Sequence, residues 1–233
     1  LGGVFGSLSP GDANVYGASW IRFEHPNWRD NETAPGTYDF AGMRAKMQPF
    51  LDANVRPVIL QCLYHYPEFP ELTDPNRFAL GYGRHFRQEA AALKGMTRYF
   101  ELGNEDNGHT KFLYTEVARH AAAAIRSQQP LAVLANSGTA HIDYNWLEFQ
   151  RSRGLLEHLD ALCVHPYTNN STPSQEVGPE KGKVYEKLTQ LNDIVDAAGG
   201  MKQLWSTEYG WPNSSRPNGE HDRADLYVRE MIV

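Results

Sequence analysis

Apolar residues in this chain fall in short blocks. Seven runs of strand length stand out: LGGVFG (1–6), ASWIRFE (18–24), RPVILQCLY (56–64), RYFELGNE (98–105), LAVLANS (131–137), LDALCVHPY (159–167) and KQLWSTEYG (202–210). They are rich in β-branched and aromatic residues, as strands buried on both faces of a parallel sheet are. Between most of them the spacing becomes helical. Helices are predicted over 41–54, 86–96, 114–130, 146–156 and 180–200, the last closed by Gly199-Gly200, with a final helix from about 221 onward. Only residues 7–17, between the first two runs, lack a helical pattern.

Strands alternating with helices predict a parallel sheet covered by helices. A doubly wound open sheet and a (β/α)8 barrel both satisfy that pattern. The first run leads into GVFGSLSPGD rather than GxGxxG, and no GxxxxGK[ST] occurs, so no nucleotide-phosphate cradle is expected. Polar and aromatic residues gather at the carboxyl ends of the runs: Arg22 and Glu24, Tyr64 and His65, Asn104 and Glu105, Asn136, His165 and Tyr167, Glu208 and Trp211. In a barrel these ends converge on one face; in an open sheet the outer ones stay too far apart to cooperate. The chain is therefore read as one α/β domain over residues 1–233, a (β/α)8 TIM barrel.

Composition narrows the function classes. With 41% hydrophobic and 21% charged residues, the chain is an ordinary globular one rather than a disordered one. Net charge is −6 and no basic stripe occurs, so neither a nucleic acid nor an anionic membrane surface is an expected partner. Charged residues interrupt most apolar runs, so no membrane span is expected. Cys62 and Cys163 stand apart from any CxxC pattern; a disulfide and the compartment both stay open.

The stretch YFELGNEDNGH (99–109) concentrates candidate chemistry: it sets three carboxylates within six residues, a costly arrangement. Glu105 and Glu208, ending the fourth and seventh runs, can face each other across a closed barrel. Two opposed carboxylates are the equipment for glycoside hydrolysis, one protonating the leaving oxygen and one attacking or activating water. Their pKa values must differ, and Glu105 is expected to hold the proton at rest. Glu101 shares strand parity with Glu105 and reads as a buried ion-pair member, with Arg22 the candidate partner. Asp106 reads as a solvated neighbour. His65 and Tyr66 are expected on the cleft wall or in loop packing, Trp211 as a sugar platform or core residue, and Trp28 and Trp146 in the core or else at outer subsites. Asp106-Asn107-Gly108 lacks calcium-loop spacing, and His141-Ile142-Asp143 has no HxH or HExxH partner, so no metal or cofactor is expected.

Asn104-Glu105 on the fourth run, Glu208 on the seventh, Arg22 on the second and His165-Pro166-Tyr167 on the sixth together resemble a clan of retaining β/α-barrel glycoside hydrolases. That clan includes cellulase-like, β-xylosidase-like and β-galactosidase-like families. The wording of ELGNEDNG and STEYGWP is most similar to the family of β-xylosidases, α-iduronidases and some bacterial exopolysaccharide endoglycosidases. The resemblance implies Glu105 as acid/base, Glu208 as nucleophile, and retention through a covalent glycosyl-enzyme. It also implies Asn104 on the sugar 2-hydroxyl, Arg22 orienting Glu208 and keeping it ionised, and His165 and Tyr167 near the nucleophile. The implied partner is an oligo- or polysaccharide. One departure stands out: the clan's eighth strand, which usually ends in a Trp, has no candidate before Val233. The barrel is accordingly read as truncated after its seventh strand and following helix. A non-catalytic carbohydrate-binding barrel or inactive fragment is the alternative reading.

Overall fold

The computed structural model describes residues 9–15, 17–23, 27–63, 65–108, 110–167, 180–200 and 202–208. The first run, Glu24, Tyr64, Trp211 and the final predicted helix lie outside the described residues. In chain order the elements are α1 (Pro10–Val15), β1 (Trp20–Phe23), α2 (Trp28–Asn31), β2 (Glu32–Ala34), β3 (Thr37–Tyr38), α3 (Ala41–Asp52) and β4 (Arg56–Leu60). They continue as α4 (Pro75–Ala92), β5 (Tyr99–Asn104), α5 (Lys111–Gln128), β6 (Val133–Ala140), α6 (Tyr144–Ser152), β7 (Ala161–His165), α7 (Val184–Ala197) and β8 (Gln203–Ser206).

Strands β1, β4, β5, β6, β7 and β8 form one parallel sheet in that spatial order. Each new strand is added on the same side, with no reversal of winding. A doubly wound sheet reverses at a switch point; this one instead curls as a half-barrel. The fold is the α/β barrel expected from the strand-end residues, and the described residues supply six of its strands.

The period-2 alternation of the strands sorts two environments. Ile21, Phe23, Phe100, Leu102, Leu134, Leu162 and Val164 face the helices and join one core with Trp28, Tyr82, Phe86, Tyr114 and Trp146. Trp28 and Trp146 are fully buried there, as expected. The intervening positions, among them Trp20, Arg22, Tyr99, Glu101 and Cys163, turn inward and meet one another across the curl. Both cysteines are buried and free.

Three features depart from the sequence reading. Helix α1 occupies part of the 7–17 link, and β2 pairs with β3 in a short hairpin. Helix α4 begins at Pro75, well before the predicted start at 86. Asp74 caps it by accepting from the Arg77 amide at 2.9 Å, and proline suits a first-turn position. Gly81 and Gly83 dilute its helical signal, since glycine is a poor helix former. Both sit where α4 packs closely: a Cβ at Gly83 would stand 3.1 Å from the His120 Cβ. Among the described residues, no helix is long and apolar enough to cross a membrane.

Candidate active site

The carboxyl ends of β1, β5, β7 and β8 bring a polar cluster onto one face. Arg22, buried on β1, grips Glu101 of β5 with two nearly parallel bonds, Nε to Oε2 at 2.7 Å and Nη2 to Oε1 at 2.9 Å. This is the internal ion pair that strand parity suggested. Burial alone would raise the Glu101 pKa, but Arg22 and His165 overcome that and hold it at about 2. The Arg22 guanidinium also reaches outward. Nη2 donates to Asn104 Oδ1 at 2.8 Å, and Nη1 bonds Glu208 Oε1. One rigid fork thus ties together three strand ends.

Glu105 lies on a tight turn just past β5. Gly103 has φ 123° and Glu105 itself φ 52°, in the left-handed region that costs a side-chain-bearing residue energy. A Cβ at Gly103 would overlap the Asp106 carboxylate, so only glycine fits. Asp106 folds back beneath the turn: its Oδ2 accepts from the Asn104 amide at 3.0 Å, and its own amide donates to Ser137 Oγ at 3.1 Å. It is fully buried, and burial pushes its carboxyl up to about 8. The expectation of a solvated neighbour is thereby corrected. The space that Gly103 opens draws Asp106 inward, and no periodic pattern beyond a strand end announces that.

His165, fully buried at the end of β7, joins the two candidate carboxylates. Its Nδ1 stands 3.0 Å from Glu105 Oε1 and 3.8 Å from Glu208 Oε2, and its Nε2 stands 3.1 Å from Thr207 Oγ1. The His165 hydrogen bond lowers the Glu105 pKa, outweighing partial burial. Burial works against charge on His165 too, but its bonds to Glu101 and Glu105 and the nearby carboxylates raise its pKa. Both directions favour the proton on His165 over Glu105, against the expectation that Glu105 holds it at rest. Tyr167 completes the cluster by donating from Oη to Glu208 Oε2 at 2.8 Å. One oxygen from each of Glu105 and Glu208, and a His165 nitrogen, lie within 4.8 Å of one another. That set, or the deeper Glu101, Cys163 and His165, has the proximity of metal ligands. The Arg22 guanidinium, bonded to both Glu101 and Glu208, opposes a cation at either.

His65 follows β4 with its carbonyl accepting from the Arg29 amide at 3.2 Å, while Tyr66 is partly exposed and packs edge-on to Phe78. Asn136 is a structural clamp. It exchanges bonds with the Cys163 backbone, Nδ2 to O at 3.0 Å and Oδ1 from N at 2.6 Å, where the β6–β7 register shifts. Two contributors escaped the sequence reading. Thr207 Oγ1 lies 3.1 Å from Glu101 and from His165, and Gly138 of β6 leaves room for the His165 ring. A glycine inside a strand was the available signal for the latter.

No protein-family model matches the chain, and no curated protein matches it. Solved structures do. A family 39 glycoside hydrolase from the gut symbiont Bacteroides cellulosilyticus WH2 superposes with a TM-score of 0.71 at 19% identity, over 92% of this chain and 47% of that one. PbGH5A, a glycoside hydrolase family 5 enzyme from Prevotella bryantii B14, gives 0.67 at 15% identity, over 91% of this chain and 70% of that one. Thermotoga maritima Cel5A, solved in complex with cellobiose, gives 0.66 at 17%, over 96% and 78%. The fold is that of glycoside hydrolase barrels. The chain spans about half the length of the first of these structures, with 47% of it covered. In this barrel, the Arg22–Glu105–Glu208 cluster occupies the carboxyl end of the strands, where barrel active sites lie.

Proposed function

We propose that this chain is a retaining glycoside hydrolase acting on an oligo- or polysaccharide. Glu208 is the nucleophile and Glu105 the acid/base. The carrying observation is their spacing, with carboxyl oxygens within 4.8 Å. Retaining pairs stand about 5–5.5 Å apart, and inverting pairs about 6.5–9.5 Å, to leave room for a water.

In this reading a Glu208 oxygen attacks the anomeric carbon while Glu105 gives a proton to the departing glycosidic oxygen. A covalent glycosyl-enzyme forms and the leaving alcohol departs. Glu105 then takes a proton from water as its oxygen attacks the same carbon and frees Glu208. Arg22 and Tyr167 hold one Glu208 oxygen each, which fixes the carboxylate for attack. His165, 3.0 Å from Glu105, passes its proton to Glu105 as charge develops on the leaving oxygen. Asn104, oriented by its Oδ1 bond to Arg22, presents its amide to the sugar 2-hydroxyl.

A panel of aryl β-glycosides with cello- and xylo-oligosaccharides should reveal turnover by the wild type. Glu208→Ala should abolish it, and azide should restore it with a product of inverted anomeric configuration. Full activity in Glu208→Ala, or no turnover of any glycoside by the wild type, would overturn the reading.

A further inference from the structure

The opposite end of the sheet holds a second feature that the reaction does not use. A cavity of about 630 Å³ opens among the segments that lead into β4, β5 and β6, lined by Leu51, Arg56, Lys94, Arg98, Tyr99 and Leu131 among others. It lies at the amino ends of the strands. Along β5, Tyr99 is five residues from Asn104, roughly 17 Å from the Glu105 cluster.

Three cations and no carboxylate line this cavity. None of Arg56, Lys94 and Arg98 is in an ion pair among the described residues. Yet the chain is acidic overall, with 28 carboxylates against 22 Lys and Arg. The two arginines are also ordered without an acid. Arg56 lies over the Trp20 ring at 5.1 Å, Arg98 over the Tyr99 ring at 5.3 Å, and the two rings meet edge to face at 4.6 Å. Guanidinium, ring, ring, guanidinium therefore run as one chain of contacts, and each fork keeps donors for another group.

An ordinary role for such cations is to complement the carbonyl ends of α3, α4 and α5, which close near this cavity. Several of those carbonyls already have partners. Backbone amides of Asn54, Val55, Met96, Thr97 and Gln129 take the terminal carbonyls, and the Gln129 side chain takes Ala90 O at 2.8 Å. The three charged heads are not consumed as caps.

We propose that this cavity binds a small phosphate-bearing ligand. Two guanidinium forks and one ammonium line it, Arg56 from the segment before β4 and Lys94 and Arg98 from the segment before β5. That suits the several oxygens of a tetrahedral oxyanion better than a single carboxylate, which one fork satisfies. The volume lies within the range of small-molecule sites and exceeds what a bare phosphate fills. The ligand is either free phosphate or pyrophosphate, or a phosphate carried on a sugar. The proposal stands independently of the hydrolase reading.

Isothermal titration of the wild type with sodium phosphate, pyrophosphate, a hexose 6-phosphate and the neutral hexose tests it. Saturable binding that weakens with added sodium chloride is expected for the phosphates and not for the neutral hexose. Tighter binding of the hexose 6-phosphate assigns a sugar carrier; tighter binding of pyrophosphate assigns the free anion. Arg56→Ala and Arg98→Ala should each weaken binding about tenfold, as loss of a charge-assisted bond does. Lys94→Ala, on an exposed loop, should weaken it roughly threefold with the melting curve unchanged. No saturable binding at millimolar concentration, or wild-type affinity in Lys94→Ala together with either folded arginine variant, overturns the proposal.

Discussion

The residue that most alters the picture of the site is His165. Sequence placed it near the nucleophile, but the chain order does not reveal that one ring nitrogen would lie 3.0 Å from Glu105 and the other beside Thr207. The contact lowers the Glu105 pKa and helps raise that of His165. A raised His165 pKa keeps a proton available to higher pH than an isolated carboxyl could. As pH rises through the His165 pKa, the pair loses the proton that Glu105 must donate. His165→Gln should therefore move the alkaline limb of the kcat/KM profile to lower pH, with kcat falling more than KM changes. An unmoved limb would show that His165 does not supply the proton. By contrast, the Arg22–Glu101 pair was legible in the sequence, because Glu101 shares inward parity with Glu105 and Arg22 ends a run of the same sheet. Asp106 was not: its burial depends on the gap at Gly103, a vacancy rather than a side chain.

At the scale of elements, the strands were more legible than the helices. Their apolar blocks are dense and bounded by turn residues. Helix α4 was found late in the sequence because Gly81 and Gly83 interrupt its pattern, and those glycines serve its close packing on neighbouring elements. Strand β6 shows the same trade between pattern and packing. Gly138 sits among Asn136, Ser137 and Thr139, a polar segment that supports the site rather than the core. A Cβ at Gly138 would overlap His165 Nε2 and come within 2.9 Å of Glu101 Oε1. Gly138→Ala should therefore destabilise the fold by about 1–3 kcal/mol in urea unfolding, as overpacking does. It should also lower turnover by displacing His165. Wild-type stability together with wild-type turnover would contradict this account of the β6–β7 contact.

Over the whole molecule, buried titratable groups set how stability varies with pH. Burial raises Glu89 to about 8, against a lowering bond from Gln61, and raises Asp106 to about 8. Both are neutral in the folded state where the unfolded chain has ionised them. Each contribution is complete below the unfolded pKa of about 4 and is lost as pH climbs toward 8, by up to about 1.4 kcal/mol per pH unit per group. Burial lowers His85 to about 3, so its contribution is present above the ordinary imidazole value and lost as pH falls from there toward 3. Glu101, at about 2, adds a loss between the ordinary carboxylate range and pH 2. Two acids outweigh one histidine between pH 5 and 6.5, and act without opposition from it above that. The melting temperature should therefore fall from pH 5 to pH 8, and Glu89→Gln should flatten that fall in calorimetry. A melting temperature that rises over this range would refute the assignment of neutral buried acids.

The sequence alone determined the strand–helix alternation, the core faces and the collection of polar residues at strand ends. Each is a local property, carried by periods of two or 3.6 residues and by turn chemistry. Tertiary structure alone decided the direction of winding, the contact of His165 with Glu105, the burial of Asp106, and the gathering of Arg56, Lys94 and Arg98 at the far end. These depend on distances between groups tens to hundreds of residues apart. Electrostatic energies at such sites are set by separation and burial, and only the curled arrangement of strands supplies either.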